Sequence, residues 1–252
     1  MFEGIGGFSL AAKWLGWKTI AWCEIHPFCQ KILKHHYSLA EAFNDIAKTD
    51  FTPYANKVDV LSGGWPCQRY SIAGHRSGKE PLKEDLVRVI REIKAPWLVL
   101  ENVYNFISEQ FAGEHDGLCL QLEHLGYEVQ TFDVDAASCA LPTVERHVWI
   151  IASSDSFRQQ RSMEDKVQNE SLLQRQFQRG HQREVFRWHL PESRVHELGK
   201  GFSDRLSGIA VSKWHIEAIK SLGNAIPPHV AYQIFCAIDE TERELGTRQT
   251  LM

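Results

Sequence analysis

Short apolar runs separated by stretches of helical spacing dominate the first part of the chain. Residues 19–23, 58–61, 97–100 and 148–152 have the length and apolar content of buried strands. Helices are predicted over 9–15, over 27–37, where Pro27 suits a first turn, and over 83–93, where Leu86, Val87, Ile90 and Ile93 recur at helical spacing. Strands alternating with helices predict a mostly parallel sheet covered on both faces. The expected architecture is therefore a doubly wound α/β domain over residues 1–153, with ligands bound beyond the carboxyl ends of the strands.

The pattern changes after residue 153. Apolar residues thin out, glutamine and arginine take over, and no strand periodicity is visible to about residue 185. Helical spacing returns at Trp214, Ile216, Ala218, Ile219 and Leu222, and again at Val230, Ile234, Phe235 and Ile238 after a Gly/Pro loop. Residues 154–205 are expected to form a small irregular lobe, and 206–252 to return to the α/β domain.

With 252 residues and 43% hydrophobic content, the chain can bury one substantial core. Its formal charge of −4 excludes binding of nucleic acid through an overall positive field, so any such contact must be local. Residues 155–205 hold ten Lys/Arg against eight Asp/Glu, which fits a solvated segment as well as a basic groove. Six cysteines, at 23, 29, 67, 119, 139 and 236, show neither metal-ligand nor disulfide-framework spacing, so a reducing cytoplasm is expected and no metal site. No apolar run approaches the roughly 20 residues of a membrane span, and no basic segment leads into a signal-peptide core.

The densest chemistry lies in Gly63-Gly64-Trp65-Pro66-Cys67-Gln68-Arg69-Tyr70-Ser71, directly after an apolar run. A strand is predicted to deliver a thiol to a loop: the glycines permit a backbone course closed to other residues, and Pro66 fixes the chain beside the sulfur. A lone cysteine more often packs as a small hydrophobe, so the neighbours carry the reading.

This loop resembles the Pro-Cys-Gln loop of the DNA (cytosine-5) methyltransferases. Three further segments fall in the order of that family: Phe2-Glu3-Gly4-Ile5-Gly6-Gly7-Phe8 near the start, Glu101-Asn102-Val103 at the end of an apolar run, and Gly223-Asn224-Ala225-Ile226-Pro227-Pro228 near the end. The resemblance implies a Rossmann-like methyltransferase that uses S-adenosyl-L-methionine. Phe2, Gly4, Ile5 and Gly7 would hold that cofactor, Glu24 its ribose hydroxyls, Asp45 and Ile46 its adenine, with more distant contacts from Pro66, Leu82 and Asn224. Gln68, Ser71, Asn102, Val103 and Arg146 would meet the substrate, double-stranded DNA.

The chemistry explains the residue types. Cytosine is a poor carbon nucleophile, and a thiolate from Cys67 adding to carbon 6 would make carbon 5 reactive toward a sulfonium methyl group. Glu101, desolvated at a strand end, is suited to donate a proton at ring nitrogen 3. A base inside a duplex must first be flipped out, and residues 154–205, short for the purpose, stand where the family reads sequence. The resemblance also implies a bacterial or phage source, a cytoplasmic monomer, and a cognate restriction endonuclease as partner.

Three departures keep other readings open. The glycine loop should follow a strand, yet the chain begins at Met1-Phe2; a start codon assigned too late or a truncated chain is the expectation. A gapless match of 142–149 to the family's Gln-x-Arg-x-Arg segment puts Glu145 and His147 where arginines would stand, with Arg146 on the opposite face of a strand. Trp65 stands where a second proline is common. An RNA cytosine methyltransferase, or a non-catalytic remnant that binds cofactor or nucleic acid, therefore remain as alternatives.

Overall fold

The computed structural model describes residues 1–66, 81–135, 146–154, 217–218, 220–222 and 225–244. Cys67, Gln68, Ser71, Asn224 and the expected lobe from residue 155 onward lie outside the described residues.

Six strands and five labelled helices make up this part: α1 (Gly7–Trp14), β1 (Ala21–Cys23), α2 (Pro27–His36), β2 (Glu41–Phe43), β3 (Val60–Gly64), α3 (Pro81–Ile93), β4 (Trp97–Val103), α4 (Ala112–His124), β5 (Tyr127–Asp135), β6 (Arg146–Ser154) and α5 (Pro228–Glu244). Strands β1 and β2 pair in parallel and form one small sheet. A second sheet has the order β3-β4-β6-β5, parallel between β3 and β4 and antiparallel across β4-β6-β5. The α/β class is as read from the sequence, and the sheet is mixed because β6 runs opposite to both its neighbours, β4 and β5.

Strand β4 explains the layering. Leu98 and Leu100 face a core built with Leu86, Ile90, Leu118 and Ile150, whereas Trp97 and Val99 face a second core built with Phe8, Trp149, Val230 and Ile234. All these β4 side chains are buried, as a central strand requires when helices cover both faces. Each fully buried Leu, Ile or Val contributes roughly 1.5–3 kcal/mol, so the two cores fix the register of β4. The second core joins chain start to chain end: Phe8 lies 6.3 Å from Phe235 and Trp17 stacks on Phe235 at 5.1 Å.

Three of these elements, the short strand β2, helix α4 and strand β5, have no counterpart among the predicted ones. Helix α4 carries Gly113 and Gly117 and only a narrow apolar stripe, with Leu118 and Leu122 buried. Strand β5 intersperses polar residues with Tyr127 and Val129, which pack on one core, and Phe132 and Val134, which pack on the other, so no single period marks it, and nine register pairs join it to β6. Among the described residues, no helix is long and apolar enough to cross a membrane.

Candidate active site

The site grows from the carboxyl ends of two adjacent parallel strands. Gly64, the last residue of β3, is the register partner of Glu101 on β4. The next residue, Trp65, is buried and sets its ring edge-on to Phe106 at 5.2 Å. Asn102, 1% exposed, donates from Nδ2 to the Trp65 carbonyl at 3.3 Å while its Oδ1 accepts from the Val103 amide at 2.9 Å. Asn102 thus ties the root of the Pro66-Cys67 loop to the end of β4, with Pro66 exposed just beyond it. Val103 is half-buried at the strand end.

Glu101 points to the α1/α5 face, the face of Val99 and Trp97, because side chains alternate along β4. There it is 8% exposed, and burial pushes its carboxyl up to about 8. At neutral pH the group therefore carries its proton and is a hydrogen-bond donor. The carboxyl fits only because residue 64 is glycine: a Cβ there would meet Glu101 Oε2 at 2.6 Å and Ile226 Cδ1 at 2.8 Å. His147, across the β4-β6 ladder, brings Nε2 to 3.7 Å from Glu101 Oε1. The sequence places His147 where an arginine is expected but not beside Glu101; that proximity comes from the antiparallel register.

A second cluster forms around the glycine loop. Phe2, Gly4 and Gly6 all have positive φ, at 51°, 57° and 99°, so the chain makes a tight course into α1. Glu24, just after β1, accepts from the Gly4 amide at 2.8 Å through Oε2 and from the His26 amide at 2.7 Å through Oε1. Its carboxylate thus braces the loop and keeps one lone pair on each oxygen for a further donor. Glu3, not singled out from the sequence, accepts from the buried Ser9 amide at 2.9 Å inside the first turn of α1. The last motif closes over this loop: a Cβ at Gly7 would fall 2.5 Å from the Ile226 carbonyl oxygen. Ile5 is half-buried in the same loop.

The remaining candidates are spread out. Asp45 accepts from the Ala47 amide and pairs with Lys48, and these bonds hold its carboxyl below the usual range. Ile46 is buried in the core, its carbonyl held by Arg88, and Leu82 packs half-buried on the same core. Arg146 is exposed, paired with Asp133, and lies over the Tyr104 ring at 4.0 Å. The structure brings together Gly64, Glu101, Asn102 and Val103 with the loop root, and Phe2, Gly4, Ile5 and Gly7 with Glu24.

The arrangement offers a neutral, buried carboxyl beside the end of β3, three residues before Cys67, and a glycine turn braced by an acidic residue at a neighbouring strand end. A model of C-5 cytosine-specific DNA methylases matches residues 1–206. Type II methyltransferase M.Eco47II of Escherichia coli is 33% identical over 132 residues, which are 50% of this chain and 32% of that protein. Type II methyltransferase M.MspI of Moraxella sp is 30% identical over 157 residues, 60% of this chain and 37% of that protein. The chain thus spans about a third of the length of these curated relatives. A crystal structure titled as a DNA modification methyltransferase encoded within a prophage of E. coli superimposes with a TM-score of 0.53 at 19% identity, over 62% of this chain and 46% of that one, which is a likeness of fold. The chain belongs to the C-5 cytosine-specific DNA methylase family.

Proposed function

We propose that this chain carries the cofactor-binding and catalytic part of a DNA cytosine carbon-5 methyltransferase, with Cys67 as nucleophile and Glu101 as acid. The observation that carries the reading is Glu101, buried and protonated at neutral pH, next to the end of β3, three residues before Cys67. A carboxyl in that state donates a proton to ring nitrogen 3 as negative charge develops there, which is the help a thiolate needs to add to carbon 6. Asn102 holds the Trp65 carbonyl, two residues before Cys67.

The residues present fit S-adenosyl-L-methionine. Glu24 accepts only, keeps lone pairs beside the Gly4 turn, and so matches a ribose diol; the positive φ values of Gly4 and Gly6 let backbone amides approach a ligand closely. When bound, this cofactor supplies an electrophilic methyl group. Asp45 and Ile46 are proposed for its adenine edge, with Pro66, Leu82 and Asn224 as outer contacts. Gln68, Ser71, Val103 and Arg146 are proposed contacts to a flipped cytosine and its flanks, and 154–205 the segment that reads sequence. The activity is assigned to the cytoplasm, with a cognate restriction endonuclease as the proposed partner.

The test is transfer of a labelled methyl group to unmethylated duplex DNA, with tRNA as the competing substrate, for this protein and for Cys67→Ser and Glu101→Gln. Incorporation at cytosine carbon 5 of duplex DNA that vanishes with Cys67→Ser supports the reading. Incorporation into tRNA alone, or none from the folded protein, overturns it.

A further inference from the structure

The guanidinium of Arg88, on α3, reaches across to the turn of residues 45–51 and grips it at two places. Nη2 donates to the Ile46 carbonyl, and Nη1 donates to the Thr49 carbonyl at 3.2 Å. The fork is oriented by its own helix: Glu92 Oε1 accepts from Nη1 at 2.7 Å, and Asp85 Oδ1 accepts from Nε at 3.4 Å. Glu92 extends the grip with its other oxygen, which accepts from the Phe51 amide at 3.0 Å. One ion pair of α3 thus meets the backbone of Ile46, Thr49 and Phe51 together, which the fixed planar fork of an arginine permits.

What the grip controls is the peptide between Ile46 and Ala47. In a trans peptide the C=O and the N–H point in opposite directions. With the Ile46 carbonyl drawn to Arg88, the Ala47 amide faces the other way, where Asp45 Oδ1 accepts from it at 3.1 Å. The preceding peptide is fixed as well. The Asp45 carbonyl accepts from the Thr49 hydroxyl at 2.7 Å and from the Lys48 amide at 3.2 Å, which turns the Ile46 N–H away from the turn. Among the described residues, no hydrogen bond runs from that N–H. The turn therefore presents an acceptor, the Asp45 carboxylate, next in the chain to an unmet donor, the Ile46 amide. That pair complements the amino group and ring nitrogen 1 of adenine, and opposes the carbonyl and N–H that hypoxanthine carries at the same positions.

We propose that Arg88 is the positioning residue for the cofactor's base: by holding the Ile46 and Thr49 carbonyls it sets the acceptor and donor of Asp45 and Ile46, through which adenine is told from other purines. The inference rests on the cofactor reading above and adds the residue that gives that site its purine specificity. Arg88 acts through the turn and not on the ligand, because all five of its N–H groups are taken by Ile46, Thr49, Asp85 and Glu92. A lysine at this position, a point charge on a flexible stem, cannot hold both carbonyls and both carboxylates at once.

The experiment measures, by isothermal titration, the binding of S-adenosyl-L-homocysteine and of its inosine counterpart, S-inosyl-L-homocysteine, to the full chain and to Arg88→Lys and Arg88→Met. The parent protein should prefer the adenosyl ligand roughly tenfold to a hundredfold, since the inosine edge sets acceptor against acceptor and donor against donor. Both variants should lose most of that preference, chiefly through weaker binding of the adenosyl ligand. In Arg88→Lys the Ala47 amide should also exchange with solvent roughly tenfold faster. Equal weakening of both ligands with the preference kept is what a brace for stability alone would give, and it overturns the proposal. Unchanged binding in the variants, or a parent protein with no preference, overturns it too. Arg88→Lys, which keeps the charge, is the variant read if thermal melts show that Arg88→Met does not fold. A folded parent protein that binds neither ligand overturns the cofactor reading and this inference with it; a parent protein that binds and discriminates leaves the cofactor reading standing, whatever the variants do.

Discussion

Gly64 and Glu101 face each other at the carboxyl ends of β3 and β4, and the absence of a side chain on the first makes room for the carboxyl of the second. A Cβ on residue 64 would lie 2.6 Å from Glu101 Oε2, far inside contact distance. Gly64→Ala should therefore displace Glu101 from the exit of the Cys67 loop. We expect a loss of methyl transfer on the order of a hundredfold, the effect of misplacing a reacting group by about 1 Å, with little loss of stability, because both obstacles are the ends of flexible side chains. Single-turnover kinetics alongside thermal melts check this; full activity would mean that Glu101 has another route to the substrate.

The raised pKa of Glu101 gives stability a pH dependence. Between its ordinary value of 4.5 and about 8 the carboxyl ionises in the unfolded chain but stays protonated in the folded one. The folded state then binds more protons, so stability falls as pH rises through this window and levels off above it. Glu101→Gln, which has no such proton to hold, should gain on the parent protein from pH 5 to pH 8, by at most about 1.4 kcal/mol per pH unit. Denaturant titrations across the window measure it, and a constant difference would show that Glu101 ionises normally.

His147 faces the same carboxyl from β6, with Nε2 at 3.7 Å from Oε1. His147→Arg would place a permanent cation there and favour ionised Glu101. The alkaline limb of the pH–rate profile should move to lower pH, whereas His147→Gln should leave it near that of the parent. Identical profiles for all three would remove His147 from any part in setting the acid.

Glu24 braces the glycine turn through the Gly4 and His26 amides. Glu24→Ala removes both bonds and the proposed ribose contact together, so the KM for S-adenosyl-L-methionine should rise roughly tenfold or more, at about 1–3 kcal/mol for an unmet buried group. Isothermal titration of the cofactor separates this from an effect on DNA; unchanged affinity would make Glu24 a structural brace alone.

Gly7 lets α1 approach the last motif, where its Cβ would fall 2.5 Å from the Ile226 carbonyl oxygen. Because the obstacle is backbone rather than a flexible side chain, Gly7→Ala should lower the melting temperature by several degrees, and more than Gly113→Ala, whose Cβ meets nothing within 4 Å.

Much of this was legible before any fold was known. Buried strands such as β4 and amphipathic helices such as α3 carry periodicities set by their own burial, and the elements observed at 97–103 and 81–93 contain the predicted ones. The motif residues Glu101 and Asn102 were legible as residues, since their types suit one chemistry. Strand β5 was not, because its apolar residues are divided between two cores with polar residues among them, and no single period results. Nor was the bracing of Gly4 by Glu24, a bond across twenty positions of sequence.

The sequence by itself determined the α/β class, the family likeness and the side chains available for chemistry, because periodicity and residue type are local properties. Tertiary structure alone decided that Gly64 makes room for Glu101, that His147 reaches the same carboxyl, and that Ile226 closes over Gly7. Each of these depends on the register and spacing of strands far apart in the chain, which are fixed only when the two cores on either face of β4 pack.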